Sequence, residues 1–225
     1  PFADGQLLVR NFNNDFLLLY ATNGGDLSAL GRGIHTQKFN FIREVIVTEK
    51  EICLALHSHF KPADLTALTT IITNAPTAPR SLRLPVHFAE HEDWRAVERE
   101  TQLDQNQVIT QLCQRTFSVA MFGFLPGFLY LAGLPSNLHL PRKSIPAKYV
   151  EANSLAIGGR YLGLYAVPSP GGWHVLGRMP LSLLQRDTLP PSAFELGDGV
   201  QLTAISATDF TYLQRELPSI LEYNE

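Results

Sequence analysis

At 225 residues and 25.0 kDa, the chain can bury a core as one large domain or two small ones. A formal net charge of -3 and a pI near 6.2 leave no positive excess for nucleic acid or an anionic membrane surface. The two cysteines, Cys53 and Cys113, make neither a disulfide framework nor a metal site, and no apolar run approaches the ~20 residues that span a bilayer, so a cytoplasmic chain is expected.

Residues 6–12 and 16–20 are apolar runs of strand length parted by Asn13, Asn14 and Asp15, the composition of a hairpin turn. Residues 26–38 read as a short helix with Asp26 at its N-cap and Leu27, Leu30 and Ile34 on one face. Residues 41–47 and 51–56 follow as two strands around Thr48-Glu49-Lys50, and Pro62 opens a second helix carrying Leu65, Leu68, Ile71 and Ile72. Strands interleaved with two helices predict a small ferredoxin-like α/β unit over residues 1–78. Residues 74–81, with two prolines and no periodicity, read as a linker.

The second part, residues 79–225, opens with a strand over 82–88. Asp93 is placed to cap a helix reaching Gln102, and Asp104 to cap another reaching Cys113 with Val108, Ile109 and Leu112 inward. Residues 117–124 read as a strand, and short β stretches follow at 154–157, 162–167, 173–176 and 199–205. Many short strands with frequent turns predict a compact β-barrel or sandwich.

Two loops carry most of the functional signal: GFLPGFLYLAGLP, from Gly123 to Pro135, and SPGGWHVLGRMP, from Ser169 to Pro180. Ordinary turns are polar. These set Phe124, Phe128, Tyr130 and Trp173 among prolines such as Pro126 and glycines such as Gly171 and Gly172, and stiff apolar loops of this kind line a pocket or an interface. Arg142 and Arg178 beside them offer planar forks for a carboxylate or a phosphate. Lys143, next to Arg142, could hold such an anion as well but reads more simply as solvated surface charge. His174 is a candidate acid or base, set against a hydrogen-bonded structural role. Cys113 would need a neighbouring base to act as a nucleophile and reads more simply as a buried helix cysteine. Gly158-Gly159, Gly163 and Gly171-Gly172 lack the spacing of phosphate-cradling loops and read as tight turns.

Taken in order, GFLPGFLYLAGLP, LPRKSIPAKYV and SLAIGGRYLGLYAVPSPGGWHVLGRMP resemble the B-component family of bacterial 5-oxoprolinase. The same family has been labelled allophanate hydrolase subunit 1, or carboxyltransferase subdomain C and D, and includes a sporulation-kinase inhibitor. IREVIVTEKEICLAL and the PVHF strand extend the resemblance over essentially the whole chain. It implies an α+β fold, a ferredoxin-like N-terminal domain followed by a cyclophilin-like β-barrel. It also implies a complex with sister C and A components that hydrolyses 5-oxoproline to glutamate at the expense of ATP. The cleft of such a protein would hold a small anionic substrate between Phe124, Pro126, Phe128, Tyr130, Arg142, Ser169, Gly171, Gly172, Trp173 and Arg178.

Departures from the family pattern fall on polar groups. Tyr161-Leu162 stand where Gln-Thr is usual, Cys113 where a helix-end histidine is common, and Ala147 where a second arginine is expected. Loss of polar groups on a kept scaffold favours the alternative expectation, a non-catalytic regulatory protein such as an inhibitor of a sensor histidine kinase.

Overall fold

The computed structural model describes residues 7–13, 15–22, 27–58, 60–68, 79–89, 91–184, 192–216 and 223. The chain is mixed α+β and divides into two units, residues 1–79 with Ala120–Phe122, and residues 80–119 with 123–225.

The first unit holds β1 (Leu7–Phe12), β2 (Phe16–Ala21), α1 (Leu27–Gln37), β3 (Ile42–Val47) and β4 (Ile52–Leu56). The strands form one antiparallel sheet in the order β1-β2-β4-β3. The turn between β1 and β2 follows from Asn13, which takes a positive φ of 46° and accepts the Asp15 N–H on its side-chain oxygen at 3.2 Å. Register places Leu17 opposite Leu54 and Leu19 opposite Ile52, and all four are buried. The strands' other face keeps Leu8, Phe12 and Ile46 exposed. Pro62–Asp64 form a 3-10 turn and residues 65–68 are helical. Asp26, Ile71, Ile72 and most of the expected linker lie outside the described residues.

The second unit begins with β5 (Ser81–Val86), α2 (Trp94–Thr101), α3 (Gln105–Cys113), β6 (Thr116–Phe122) and β7 (Leu129–Ala132). It continues through β8 (Ala147–Val150), β9 (Ser154–Gly158), β10 (Tyr161–Tyr165), β11 (Ser169–Gly171), β12 (His174–Arg178), β13 (Gly199–Ala204) and α4 (Ala207–Glu216). The expected linker ends before Ser81, which already belongs to β5. Arg80 fastens that start, because its guanidinium lies 2.5 Å from the buried Asp198 carboxylate and its N–H donates to the same side chain at 3.2 Å. Asp104 caps α3 as expected: its side chain accepts the Gln107 N–H at 2.8 Å, and the Gln107 side chain accepts the Asp104 N–H at 3.0 Å. Val108 and Leu112 are buried, Ile109 half-buried.

Seven strands make one sheet, ordered β12-β9-β10-β7-β6-β13-β5, and β8 pairs with β11 in a separate ribbon. The two outer strands of the large sheet curl until they meet. His87, just past β5, and Arg178, at the end of β12, exchange backbone hydrogen bonds of 2.9 and 3.0 Å. Such closure removes two exposed sheet edges. It requires Gly177, where a Cβ would lie 2.6 Å from the His87 carbonyl oxygen. Strands β9 and β10, which follow β12 in the sheet, are buried almost throughout. Among the described residues no helix is long and apolar enough to cross a membrane.

Candidate functional site

Phe128 is the centre of an aromatic cluster in the second unit. It is 1% exposed and meets Tyr130, Tyr165 and Trp173 edge to face, with ring centroids 4.9, 4.9 and 5.8 Å away. Tyr130 extends the cluster to Tyr161 at 5.8 Å and also touches Trp173 at 5.6 Å. Trp173 can reach Phe128 because Gly163 has no side chain. A Cβ there would sit 2.6 Å from the indole and 2.7 Å from the Phe128 ring, and one at Gly158 would also strike the indole. Gly163 therefore corrects the expectation of a tight turn, because it lies inside β10; Gly158 ends β9 beside the expected tight turn, made by Gly159 and Arg160, and also clears space for Trp173.

Phe124 ends the cluster at the surface. Its ring stands edge-on to Phe128 at 5.5 Å, yet it is 62% exposed and its backbone has φ +71°. A bulky residue rarely occupies the left-handed region, and such strain concentrates at binding loops. Pro126 is exposed on the same loop.

Cationic side chains border these rings. The Arg142 guanidinium carbon lies 5.8 Å from the Trp173 ring centre, and that of Arg160 lies 5.0 Å from the Tyr161 ring while its Nη2 donates to the Tyr161 hydroxyl at 2.9 Å. Lys143 is not the solvated charge expected. Its side chain is only 14% exposed, and Nζ lies 2.6 Å from Oδ1 of Asp93. Asp93 departs from expectation as well. It precedes α2 but makes no side-chain cap bond; its buried carboxylate is committed to Lys143 and, through Oδ2, to the Val175 N–H at 2.7 Å. The pull of an ammonium and a strand amide outweighs a helix cap worth ~1 kcal/mol.

The same stretch of chain is held at two further points. The Lys143 N–H donates to the Gly172 carbonyl at 2.7 Å, and His174 Nε2 lies 3.1 Å from the Pro141 carbonyl. A carbonyl only accepts, so Nε2 carries the proton and Nδ1 is left with a lone pair. That Nδ1 is buried and has no hydrogen-bond partner among the described residues, as is true of the Ser169 hydroxyl oxygen on β11. Gly171 closes β11 and is buried beside the Tyr165 hydroxyl. Burial pushes the Tyr165 phenol up to about 12; nearby Tyr130 adds to the shift, and Arg142 and a hydrogen bond with the Trp173 backbone oppose it. Burial raises Tyr130 too. Both phenols stay neutral near pH 7.

Two expected residues have partners outside this cluster. Arg178 pairs with Glu151, donates from Nε to the Ala152 carbonyl at 3.2 Å, and lies 6.0 Å from the Phe210 ring. Cys113 ends α3, where desolvation raises its thiol against a weaker lowering by a hydrogen bond with the Ala204 backbone. A neutral, half-buried thiol is a poor nucleophile. The pairing of Asp93 with Lys143 has no local sign in the sequence, where Asp93 stands as a helix cap and Lys143 as a cation next to Arg142.

Residues 9–194 match the family described as carboxyltransferase domain, subdomain C and D. A Bacillus subtilis protein, named as the B component of 5-oxoprolinase, is 33% identical over 61% of this chain and 58% of its own length. A Haemophilus influenzae protein of the same name is 35% identical over 54% of this chain and 58% of its own. The chain thus spans well under two thirds of the curated relatives it matches. Among solved structures, TTHA0988 superposes with a TM-score of 0.73 at 24% identity, covering 89% of this chain and 40% of that one, which is a likeness of fold. The match over residues 9–194 takes in both units and every ring of the aromatic cluster, and the chain belongs to the carboxyltransferase domain, subdomain C and D, family.

Proposed function

We propose that this chain is one component of a cytoplasmic, ATP-dependent amide hydrolase, a 5-oxoprolinase that works with sister A and C components. The observation that carries the reading is the name shared by the curated relatives, the B component of 5-oxoprolinase, at 33 to 36% identity. The aromatic cluster is compatible with it. A five-membered lactam presents an apolar ring edge and one carboxylate, and the Arg142 guanidinium lies against Trp173, which packs in turn on Tyr130.

The chemistry follows from the stability of an amide. Transfer of the γ-phosphoryl group of ATP to the lactam carbonyl oxygen forms a P–O bond and releases ADP. Water then adds to the activated carbon. The nitrogen takes up a proton as the C–N bond opens, leaving an acyl phosphate, and a second water attacks its carbonyl carbon, so that phosphate leaves with the bridging oxygen and glutamate is formed. In this reading Arg142 holds the substrate anion and His174 Nδ1 takes the water proton. Arg178 and Cys113 are left to the frame. ATP is assigned to the complex and to no residue of this chain. The reading takes residues 1–78 as a ferredoxin-like domain and residues 79–225 as a cyclophilin-like barrel, in keeping with the four-stranded antiparallel sheet and the meeting of β5 and β12.

A second reading, a regulatory protein that binds a partner such as a sensor histidine kinase, is favoured by one feature. Phe124, Ile145 and Tyr149 are 62, 82 and 63% exposed, and large exposed apolar groups suit a protein partner. The deciding experiment is phosphate release from ATP by this chain reconstituted with its candidate A and C partners. Release that needs both 5-oxoproline and this chain supports the hydrolase. A complex that assembles and stays silent favours the regulator.

A further inference from the structure

The Asp93–Lys143 pair is the feature that the proposed function leaves unused. Both side chains are largely withdrawn from water, at 8 and 14% exposure. Burying two charges costs several kcal/mol each before their attraction is counted, so a buried pair is weak evidence of stability by itself. Here the pair is also in a particular place. Asp93 reaches from the start of α2 to the Val175 N–H and to Lys143 Nζ, and Lys143 follows Arg142, whose guanidinium covers Trp173. An ammonium has three donors, and the Asp93 contact uses one of them. His174, 7% exposed, sits next to Val175 with Nδ1 unpartnered among the described residues. The segment from Pro141 to Lys143 is pinned on Gly172 and His174, which sets the backbone of both cations.

We infer that Lys143 is an anion-binding residue of this site and that Asp93 is its positioning residue. Asp93 fixes one donor of Nζ, which leaves the other two for an oxyanion, a carboxylate or a phosphate, that Arg142 engages from the Trp173 face. His91 also faces the carboxylate, with Nδ1 3.4 Å from Oδ2 and accepting the Asp93 N–H at 3.2 Å, and the Asp93 charge reaches the Tyr165 phenol as well. The inference rests on the site assignment made above but not on the identity of the lactam.

The test is isothermal calorimetry on the full chain with two probes, inorganic phosphate and 5-oxoproline, which separate the two oxyanion sources. The variants are Lys143→Gln alone and Lys143→Gln combined with Asp93→Asn. The single change leaves a buried carboxylate unpaired and lowers the thermal midpoint, and the double change restores most of that loss because both partners become neutral amides. The inference expects binding to stay at least about tenfold weaker in the double variant despite the recovered stability, the loss of one charged hydrogen bond. Recovery of binding together with stability would mean that Lys143 only neutralises Asp93, and would overturn the inference. So would a wild-type chain that binds neither probe. Phosphate binding lost in the double variant, with no turnover of 5-oxoproline in the reconstituted complex, would keep this inference and refute the proposed substrate.

Discussion

The first residues of β12 meet the Asp93 carboxylate and the Pro141 carbonyl, whereas its last two meet the far edge of their own sheet. At the first end, the His174 imidazole meets the Pro141 carbonyl and the Val175 N–H donates to the buried Asp93 carboxylate. At the other end, Gly177 and Arg178 form a backbone seam with His87, and the guanidinium is occupied by Glu151 and Ala152. In sequence the two ends belong to one run, SPGGWHVLGRMP, and both look functional. The fold divides that run into a part that borders the Asp93–Lys143 pair and the aromatic cluster and a part that closes the sheet. A retained motif is therefore not evidence that all its residues touch a ligand.

Substitutions that separate stability from binding can break this comparison. The largest effect is expected for Trp173→Ala, which empties the space between Gly163, Phe128 and Tyr130. It should cost about 3–5 kcal/mol of unfolding free energy, read by urea denaturation, and abolish binding of either anion. Gly177→Ala forces a methyl group onto the His87 carbonyl and should cost about 1–3 kcal/mol while leaving the affinity of the remaining folded protein unchanged. Weakened affinity at this position would argue that the seam and the site are coupled.

Arg178→Ala tests the same division more gently. Its ion pair with Glu151 joins two substantially exposed side chains, so a loss of about 1 kcal/mol or less is expected, with anion affinity retained. A normal thermal midpoint with abolished activity would instead return Arg178 to the site. Phe124→Gly should be neutral or stabilising by up to ~1 kcal/mol, since glycine adopts φ +71° without strain, while ligand affinity falls. The smallest effect at neutral pH belongs to Tyr165. Its folded phenol titrates at about 12 against an ordinary 10.0, so the unfolded chain loses its proton first. Stability from this group is complete below pH 10 and declines as pH rises towards 12, and Tyr165→Phe should flatten that decline in thermal midpoints measured across the range.

Much of the framework was readable from the residues alone. The apolar runs at 16–20 and 51–56 correspond to β2 and β4, and Asp104 marked the start of α3. Strands β7, β8 and β11 were not readable, because three or four residues are too few to show a period of two. Helix α4 was missed as well; its single buried residue, Leu213, makes too faint a stripe. In the site, the aromatic loops stood out by composition. Gly163 was misread as a turn because the need for glycine there comes from an indole ten positions away.

The residues themselves determined which segments are apolar, where helices are capped, and that Phe124 to Tyr130 and Trp173 form unusual loops, since these are properties of near neighbours along the chain. Only the tertiary structure decided which charges are buried. Asp93 leaves its cap because Lys143 and Val175, far away in sequence, arrive beside it. Arg178 meets Glu151, Ala152 and His87 because β5 and β12 come together. Electrostatic energy depends on distance and on exclusion of water, and neither is fixed until the sheet has closed.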